Sequence, residues 1–321
     1  MRRNSVWRRF AIVSALAFFR IASGGESARD NAKPANRVEI KIKGDYRVIT
    51  SNGIPDHEPG KFPNRRNPNT IAEQHYEFYV PLKPEVAEKP VRMRMQPFGV
   101  ALNGVVFDPF ANEFWNRDRN SGWQYEPMSG KYDLGTDASN AHVQPDGSYH
   151  YHGLPTGLMT MLSAGGMVRM LQVGWAADGF PIYALNAHSD AKDPKSALKK
   201  MKSSYQLKSG TRPDGDTGPG GKYDGRFVQD YEYVAGSGDL DECNGRTGVT
   251  PQFPDGTYYY VLTDEFPFIP RFFKGVPDRS FFRGPPRGGP PPGPGGPPPG
   301  GPPPDGDPQG ERSRRPLPRE N

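Results

Sequence analysis

Three of the six histidines in the chain, His142, His150 and His152, fall within eleven residues. His150 and His152 alternate with Tyr149 and Tyr151 in the segment Tyr149-His150-Tyr151-His152. Residues two apart on a strand project from one face, so a strand here turns both imidazoles one way and both phenols the other. His142 precedes Pro145-Asp146-Gly147, which has the residue types of a tight turn. A chain that reverses there brings the third ring back to the same face. Three neutral imidazoles on one face are the usual protein ligands for zinc or copper, and they leave a coordination position open to water or substrate. They repel one another once protonated, which favours a bound cation that keeps them neutral. The plainer alternative is a solvated His-X-His face. Tyr149 and Tyr151 are expected in the core, as aromatic side chains alternating on a strand ordinarily are, with a phenol beside the metal as the alternative.

Other polar residues extend this candidate site. His57 follows a Pro-Asp turn in a loop, where it either completes the ligand set or is solvated. Asp178, in Ala177-Asp178-Gly179-Phe180-Pro181, closes a turn through its carboxylate, with a binding or catalytic role as the alternative. Asp241 and Glu242 suit a hard cation or acid/base chemistry. On a strand they point to opposite faces, so at most one, taken as Asp241, reaches a shared site. His75 and His188 are read as structural or exposed. Cys243 is the only cysteine, which rules out an intramolecular disulfide; it is read as a buried small side chain, with a thiolate ligand as the alternative.

These residues need a scaffold, and the sequence points to strands. Short β-type runs alternate with turn residues over Val38 to Ile42, Tyr76 to Pro81, Val91 to Met95, Gly99 to Phe107, Met167 to Val173 and Thr257 to Thr263. Helix signals are sparse, and the best is Asp193 to Lys200, with Asp as cap and Pro in the first turn. The expected fold is all-β or β-rich, a single domain of short antiparallel strands over residues 38–276. Long loops are expected around Ile54 to Asn69, Phe110 to Ala141 and Ser209 to Gly225. Pro145 to His152 is echoed by Pro254-Asp255-Gly256-Thr257-Tyr258-Tyr259-Tyr260-Val261, and Asn140-Ala141-His142 by Asn244-Gly245-Arg246. That pattern suggests an internal duplication in which only the first copy carries imidazoles.

The two ends of the chain differ from this middle. Arg2, Arg3, Arg8, Arg9 and Arg20 precede the first acidic residue, Glu26, and flank the apolar run Ala11 to Phe19. Residues 1–25 therefore read as an export signal, too short in its apolar part for a permanent span. Without those five arginines, 36 basic residues face 36 acidic ones, so the formal charge of +5 belongs to the leader. A neutral remainder gives no attraction for phosphate, and neither nucleic acid nor a membrane surface is an expected partner. Residues 284–321 are Pro/Gly-rich and then polar, which reads as a disordered tail: a spacer, or a ligand for a proline-recognising partner. The mature protein is expected in the periplasm, on the cell surface or in the medium.

The segments Asn52-Gly53-Ile54-Pro55-Asp56-His57, Leu102-Asn103-Gly104-Val105, Tyr149 to His152, Ala177 to Tyr183 and Leu240-Asp241-Glu242-Cys243-Asn244-Gly245 together resemble the YHYH domain family. The resemblance covers most of the expected folded region. It implies a secreted or surface-associated bacterial protein and no particular reaction. Related sequences often continue Asn-Gly with His and carry a second His-bearing strand near the end, where this chain has Arg246 and Tyr259. A symmetric pair of metal centres is not expected.

No Gly-x-Ser-x-Gly elbow, phosphate-binding loop, dinucleotide fingerprint or His-Glu-x-x-His is present in a suitable context, which leaves the corresponding enzymes without support. Two function classes fit what remains. One is an exported protein holding a transition metal for storage, sensing, or metal-assisted hydrolysis or oxidation. The other is a non-enzymatic surface module that binds glycan or another extracellular polymer through Trp115, Trp123, Trp175 and the tyrosines.

Overall fold

The computed structural model describes residues 34–163, 166 and 169–282. The leader over 1–25 and the tail over 284–321 lie outside the described residues, as do Met167 and Val168 of the strand expected there. The fold is β-rich, as the short alternating runs require.

Strands β1 (Val38–Lys43), β2 (Tyr46–Ser51) and β3 (Tyr76–Pro81) form an antiparallel sheet in that order. β2 and β3 turn Ile49, Phe78 and Val80 into the main core. β4 (Val86–Arg92) pairs only with the last strand. β5 (Gly99–Ala101) and β6 (Val106–Phe107) make a tight hairpin, and β7 (Ala141–Val143) and β8 (Tyr149–Tyr151) make another. After α1 (Thr156–Leu162) come β9 (Leu171–Ala176) and β10 (Pro181–Ala184), a third hairpin. Two small ribbons follow, β11 (Asn186–His188) with β12 (Leu198–Lys200), and β13 (Tyr205–Leu207) with β14 (Tyr231–Tyr233). β15 (Gly245–Thr250), β16 (Phe253–Leu262) and β17 (Phe272–Gly275) complete the chain, with β17 against β4.

Three local expectations change. The run 99–107 is two strands, because Asn103-Gly104 reverses the chain with Gly104 in the left-handed region at φ 81°. The strand expected over 91–95 begins earlier and ends at Arg92, before Met95 at φ 61°. No helix forms over 193–200: the Asp193 carboxylate accepts from the Lys195 amide in a turn, and Leu198–Lys200 pair with β11. The helix present, α1, begins directly after Pro155.

The central sheet has the order β15-β16-β10-β9-β5-β6-β8-β7. Read outward from its middle, each half repeats one pattern: a hairpin, a parallel neighbour, then an antiparallel edge strand. Phe107 pairs in parallel with Tyr151 in one half and Ile182 with Tyr260 in the other. The outer hairpins match in register, His142 facing His150 where Arg246 faces Tyr259. Their entry loops match in backbone conformation and in their aspartate hydrogen bonds. Asn140 and Asn244 are both left-handed, at φ 56° and 52°. The Asp137 carboxylate accepts from the Ala141 amide and the Tyr149 hydroxyl, and the Asp241 carboxylate accepts from the Gly245 amide and the Tyr258 hydroxyl. The duplication suggested by the sequence is therefore a duplication of strand order, register and capping chemistry.

The halves join where β5 pairs with β9, Val100 opposite Trp175, with Gly99 facing Ala176 and Gly174 facing Ala101. A Cβ on Gly99 would press on the Trp175 carbonyl, and one on Gly174 on the Val100 carbonyl. Gly99→Ala and Gly174→Ala are each expected to cost about 1–3 kcal/mol, the usual range for overpacking. Denaturant unfolding measures this; an unchanged midpoint for either variant would mean that the central pair is loose enough to part.

Candidate metal centre

The β7–β8 hairpin gathers the three histidines. His142 lies directly across from His150, and His152 follows on the same face one residue beyond the end of β8. The three ring centroids are 4.5, 4.7 and 4.7 Å apart. One nitrogen from each ring falls within 4.8 Å of the other two. His150 and His152 are fully buried, and His142 is half-buried.

Hydrogen bonds fix where the ring protons sit, which is an assignment from partners. His142 Nδ1 lies 3.2 Å from the Leu134 carbonyl and His150 Nδ1 3.2 Å from the Ser148 carbonyl, so both nitrogens donate. In the neutral rings each Nε2 then carries a lone pair. His150 Nε2 is 3.0 Å from His152 Nε2, a contact that needs one proton between them, which His152 supplies. His152 Nδ1 is buried without a hydrogen-bond partner, and the Asp108 backbone is close enough to the ring to favour its protonated form. This donor set suits a soft-to-borderline divalent ion: imidazoles oriented by backbone carbonyls, one with an orphaned nitrogen. Metal–nitrogen bonds near ~2.1 Å set a tetrahedral N···N edge of ~3.4 Å, reachable from these separations by small ring rotations.

Burial holds His152 well below the ordinary imidazole range, and the neighbouring His150 and His142 push the same way. Burial also lowers His142, against the Leu134 carbonyl.

Several groups around the rings are not apparent from the sequence. Asp108 lies at the end of β6 with its carboxylate buried, accepting from the Phe110 amide. Arg271, 145 residues from Glu126 in the chain, pairs with that buried carboxylate at 2.6 Å and donates to the Pro109 carbonyl, fixing the loop after β6 beside His152. Glu126 is raised to about 7, burial pushing it up against the pull of Arg271, and the Arg271 charge also disfavours a protonated His152. Arg271 Nε, like His152 Nδ1, has no partner. The exposed edge of the site is His142, which lines a cleft of about 210 Å3 with Arg66, Asn112, Glu113 and Gln144. Burial raises the Glu113 carboxyl.

The remaining sequence candidates lie elsewhere. Tyr149 and Tyr151 are buried on the opposite face, in the main core. His57 is on that face too: its Nε2 meets the Tyr151 hydroxyl at 2.8 Å and its ring stacks on Tyr151. It is not among the three gathered rings. Asp178 closes the β9–β10 turn and accepts from the Tyr260 hydroxyl at 2.5 Å and the Gly275 amide at 2.9 Å; burial raises it to about 6. Asp241 caps the second outer hairpin and meets Lys274 at 3.3 Å, far in the sheet from β7 and β8. Asp241 and Glu242 lie in a turn before β15, so strand alternation does not apply to them. Cys243 is buried in the main core, and burial pushes its thiol up to about 12. His188 is buried against the Ser196 carbonyl, and His75 is exposed. Of the tryptophans, Trp123 and Trp175 are buried and Trp115 is half-buried.

Where the first half has His142, His150 and His152, the second has Arg246, Tyr259 and Val261. Arg246 Nε donates to the Tyr259 hydroxyl at 2.7 Å, and its outer nitrogen donates to the His188 carbonyl. Tyr259 and Val261 belong to a second apolar cluster with Tyr183, Met170, Met201 and Leu240.

Residues 77–275 match the protein-family model described as YHYH protein, a span that includes both halves of the central sheet. No curated protein matches the chain, and no solved structure does.

Because His142 and His152 titrate lower in the folded protein than in the unfolded chain, the unfolded state binds more protons below pH ~6.5. The stability carried by their neutral forms is complete above that pH and is lost as pH falls toward the depressed folded values. Metal-free protein should therefore melt at a lower temperature at pH 5 than at pH 7, and His142→Gln should show a smaller drop. Equal drops in the two proteins would exclude His142 from this titration.

Proposed function

The chain belongs to the YHYH protein family, and on that footing we propose that it is an exported protein holding one transition-metal ion, zinc or copper, through His142, His150 and His152. Proteins of the family are generally exported bacterial proteins, in keeping with the arginine-flanked apolar leader. No described helix is long and apolar enough to cross a membrane.

The observation that carries the metal reading is the convergence of three ring nitrogens within 4.8 Å, two of the rings being fully buried. Fully burying adjacent imidazoles without a cation leaves an orphaned His152 nitrogen, a cost of roughly 1–3 kcal/mol for a polar group without a partner. A metal ion at the converging nitrogens would take up the Nε2 lone pairs of His142 and His150 and replace the proton that His152 shares with His150. It would act there as a Lewis acid toward a molecule at its remaining position. The chain's own contributions are the two backbone carbonyls that orient His142 and His150, and the Arg271–Glu126 pair that fixes the loop beside His152. Access is from the His142 side, where the small polar cleft suits water or a small polar molecule.

The glycan-binding reading draws less support. Trp123 packs against Phe227 with its ring nitrogen donating to the Thr217 carbonyl, and Trp175 lies under the Arg47 guanidinium. Neither presents an open stacking face.

Elemental analysis of purified chain, stripped with chelator and reloaded, tests the proposal. One zinc or copper per chain is expected in the wild type, with near-complete loss in His150→Ala/His152→Ala. His142→Ala, at the half-exposed position, is expected to keep the fold by circular dichroism and to weaken binding at least ~10-fold, the loss of one of three ligands. Equal, substoichiometric metal in wild type and double variant would reject the reading.

A further inference from the structure

The three-stranded sheet ends in β1, whose residues after Val38 are exposed on both faces. Val38, Ile40 and Ile42 share the face that β2 and β3 bury. Ile40 is opposite Ile49, which is opposite Phe78, and those two are 0 % and 4 % exposed. Ile40 is 41 % exposed and Ile42 64 %. The apolar layer thus continues past the covered core onto a strand that none of the described residues covers.

The backbone of β1 is also available. The Asn52 amide donates to the Arg37 carbonyl, so Arg37 turns its polar groups toward β2. Backbone direction alternates along an antiparallel strand, so Val38, Ile40 and Ile42 turn theirs outward. A six-residue strand with outward donors and acceptors and an apolar face is a template for another strand unless its charges forbid pairing.

In β1 charge and apolar matching together select a partner. The sequence Val38-Glu39-Ile40-Lys41-Ile42-Lys43 can pair antiparallel with itself in several registers that keep the outward groups matched. With Ile40 opposite Ile40 of the second copy, Val38 meets Ile42 and Glu39 meets Lys41 on both sides of the axis, while at the ends Lys43 meets Arg37, whose guanidinium is already paired with Glu73 at 2.6 Å. A shift one way sets Glu39 opposite Glu39 and Arg37 opposite Lys41, and like charges directly opposite are destabilising; a shift the other way sets Lys41 opposite Lys41 and Glu39 opposite Lys43, but leaves Val38 opposite Gly44 and so gives up one apolar pair. Glu39 and Lys41 already lie 2.7 Å apart within one chain, both exposed and free to re-pair.

We propose that β1 is an interface between two copies of this chain, joined antiparallel about Ile40 into a continuous six-stranded sheet. The pairing rests on nothing in the histidine site, and it joins two copies at the sheet remote in sequence from β7 and β8.

Sedimentation velocity on the exported form of the chain, residues 26–321, tests it. The weight-average mass should rise from one copy to two as concentration increases through the micromolar range. Glu39→Lys, which places two lysine pairs in opposition, should move that transition at least ~10-fold higher in concentration, and Glu39→Lys/Lys41→Glu should restore it. Ile40→Cys should form an intermolecular disulfide on mild oxidation, because Cys243 is buried and does not compete. Three results overturn the proposal. They are a monomer at every concentration, a dimer indifferent to Glu39→Lys, and a dimer that appears only after residues 26–33 are removed, which would mean that the chain's own segment lies on β1.

Discussion

A Cβ on Gly99 or Gly174 would run into a carbonyl oxygen of the facing strand, so the pairing of β5 with β9 depends on glycine at these two positions, one on either side of the Val100–Trp175 pair. Everything else in the central sheet is hung from this junction. It sets the two halves in one plane with opposite strand directions, so that Tyr149, Tyr151, Tyr258 and Tyr260 share one apolar cluster. Because those tyrosines are claimed by a common core, the alternate residues of β8 and β16 have to face the other side. The location of the histidines is therefore fixed by what the tyrosines do.

On that other side the halves part company. In the second half the positions are filled by Tyr259 and Val261 within an apolar cluster and by Arg246 bonded to Tyr259. In the first half the equivalent space holds three imidazoles, with Asp108 where the second half has Tyr183. The backbone registers are the same, and so are the aspartate caps. The difference is sharpest on this face, while Tyr149 and Tyr151 on the other keep their counterparts in Tyr258 and Tyr260.

Much of this was legible in the sequence because it depends on short-range periodicity. The period of two over 149–152 places His150 with His152, and Pro145-Asp146-Gly147 supplies the reversal that adds His142. The echo over 254–261 announces the second half. The rest depends on contacts between distant segments. Nothing near Arg271 indicates Glu126 or Pro109, and Gly99 and Gly174 look like ordinary interruptions of apolar runs. His57 looks like a candidate ligand because residue type carries no information about which face of a sheet a loop covers. The helix read over 193–200 shows the same limit: Asp-Pro is as good a turn as a helix start, and pairing with β11 decided between them.

Arg246 carries a consequence beyond its role as the counterpart of His142. Its guanidinium is a covalently attached, permanently charged group that neither dilution nor a chelator removes. A metal ion held by the three histidines of the first half, as proposed, would by contrast contribute to stability only through mass action, as its free concentration exceeds the dissociation constant. One half of the molecule would then be coupled to the ionic composition of its surroundings and the other insulated from it. In a medium poor in metal the loss of order would begin at the β7–β8 hairpin, leaving β15, β16 and their cluster intact.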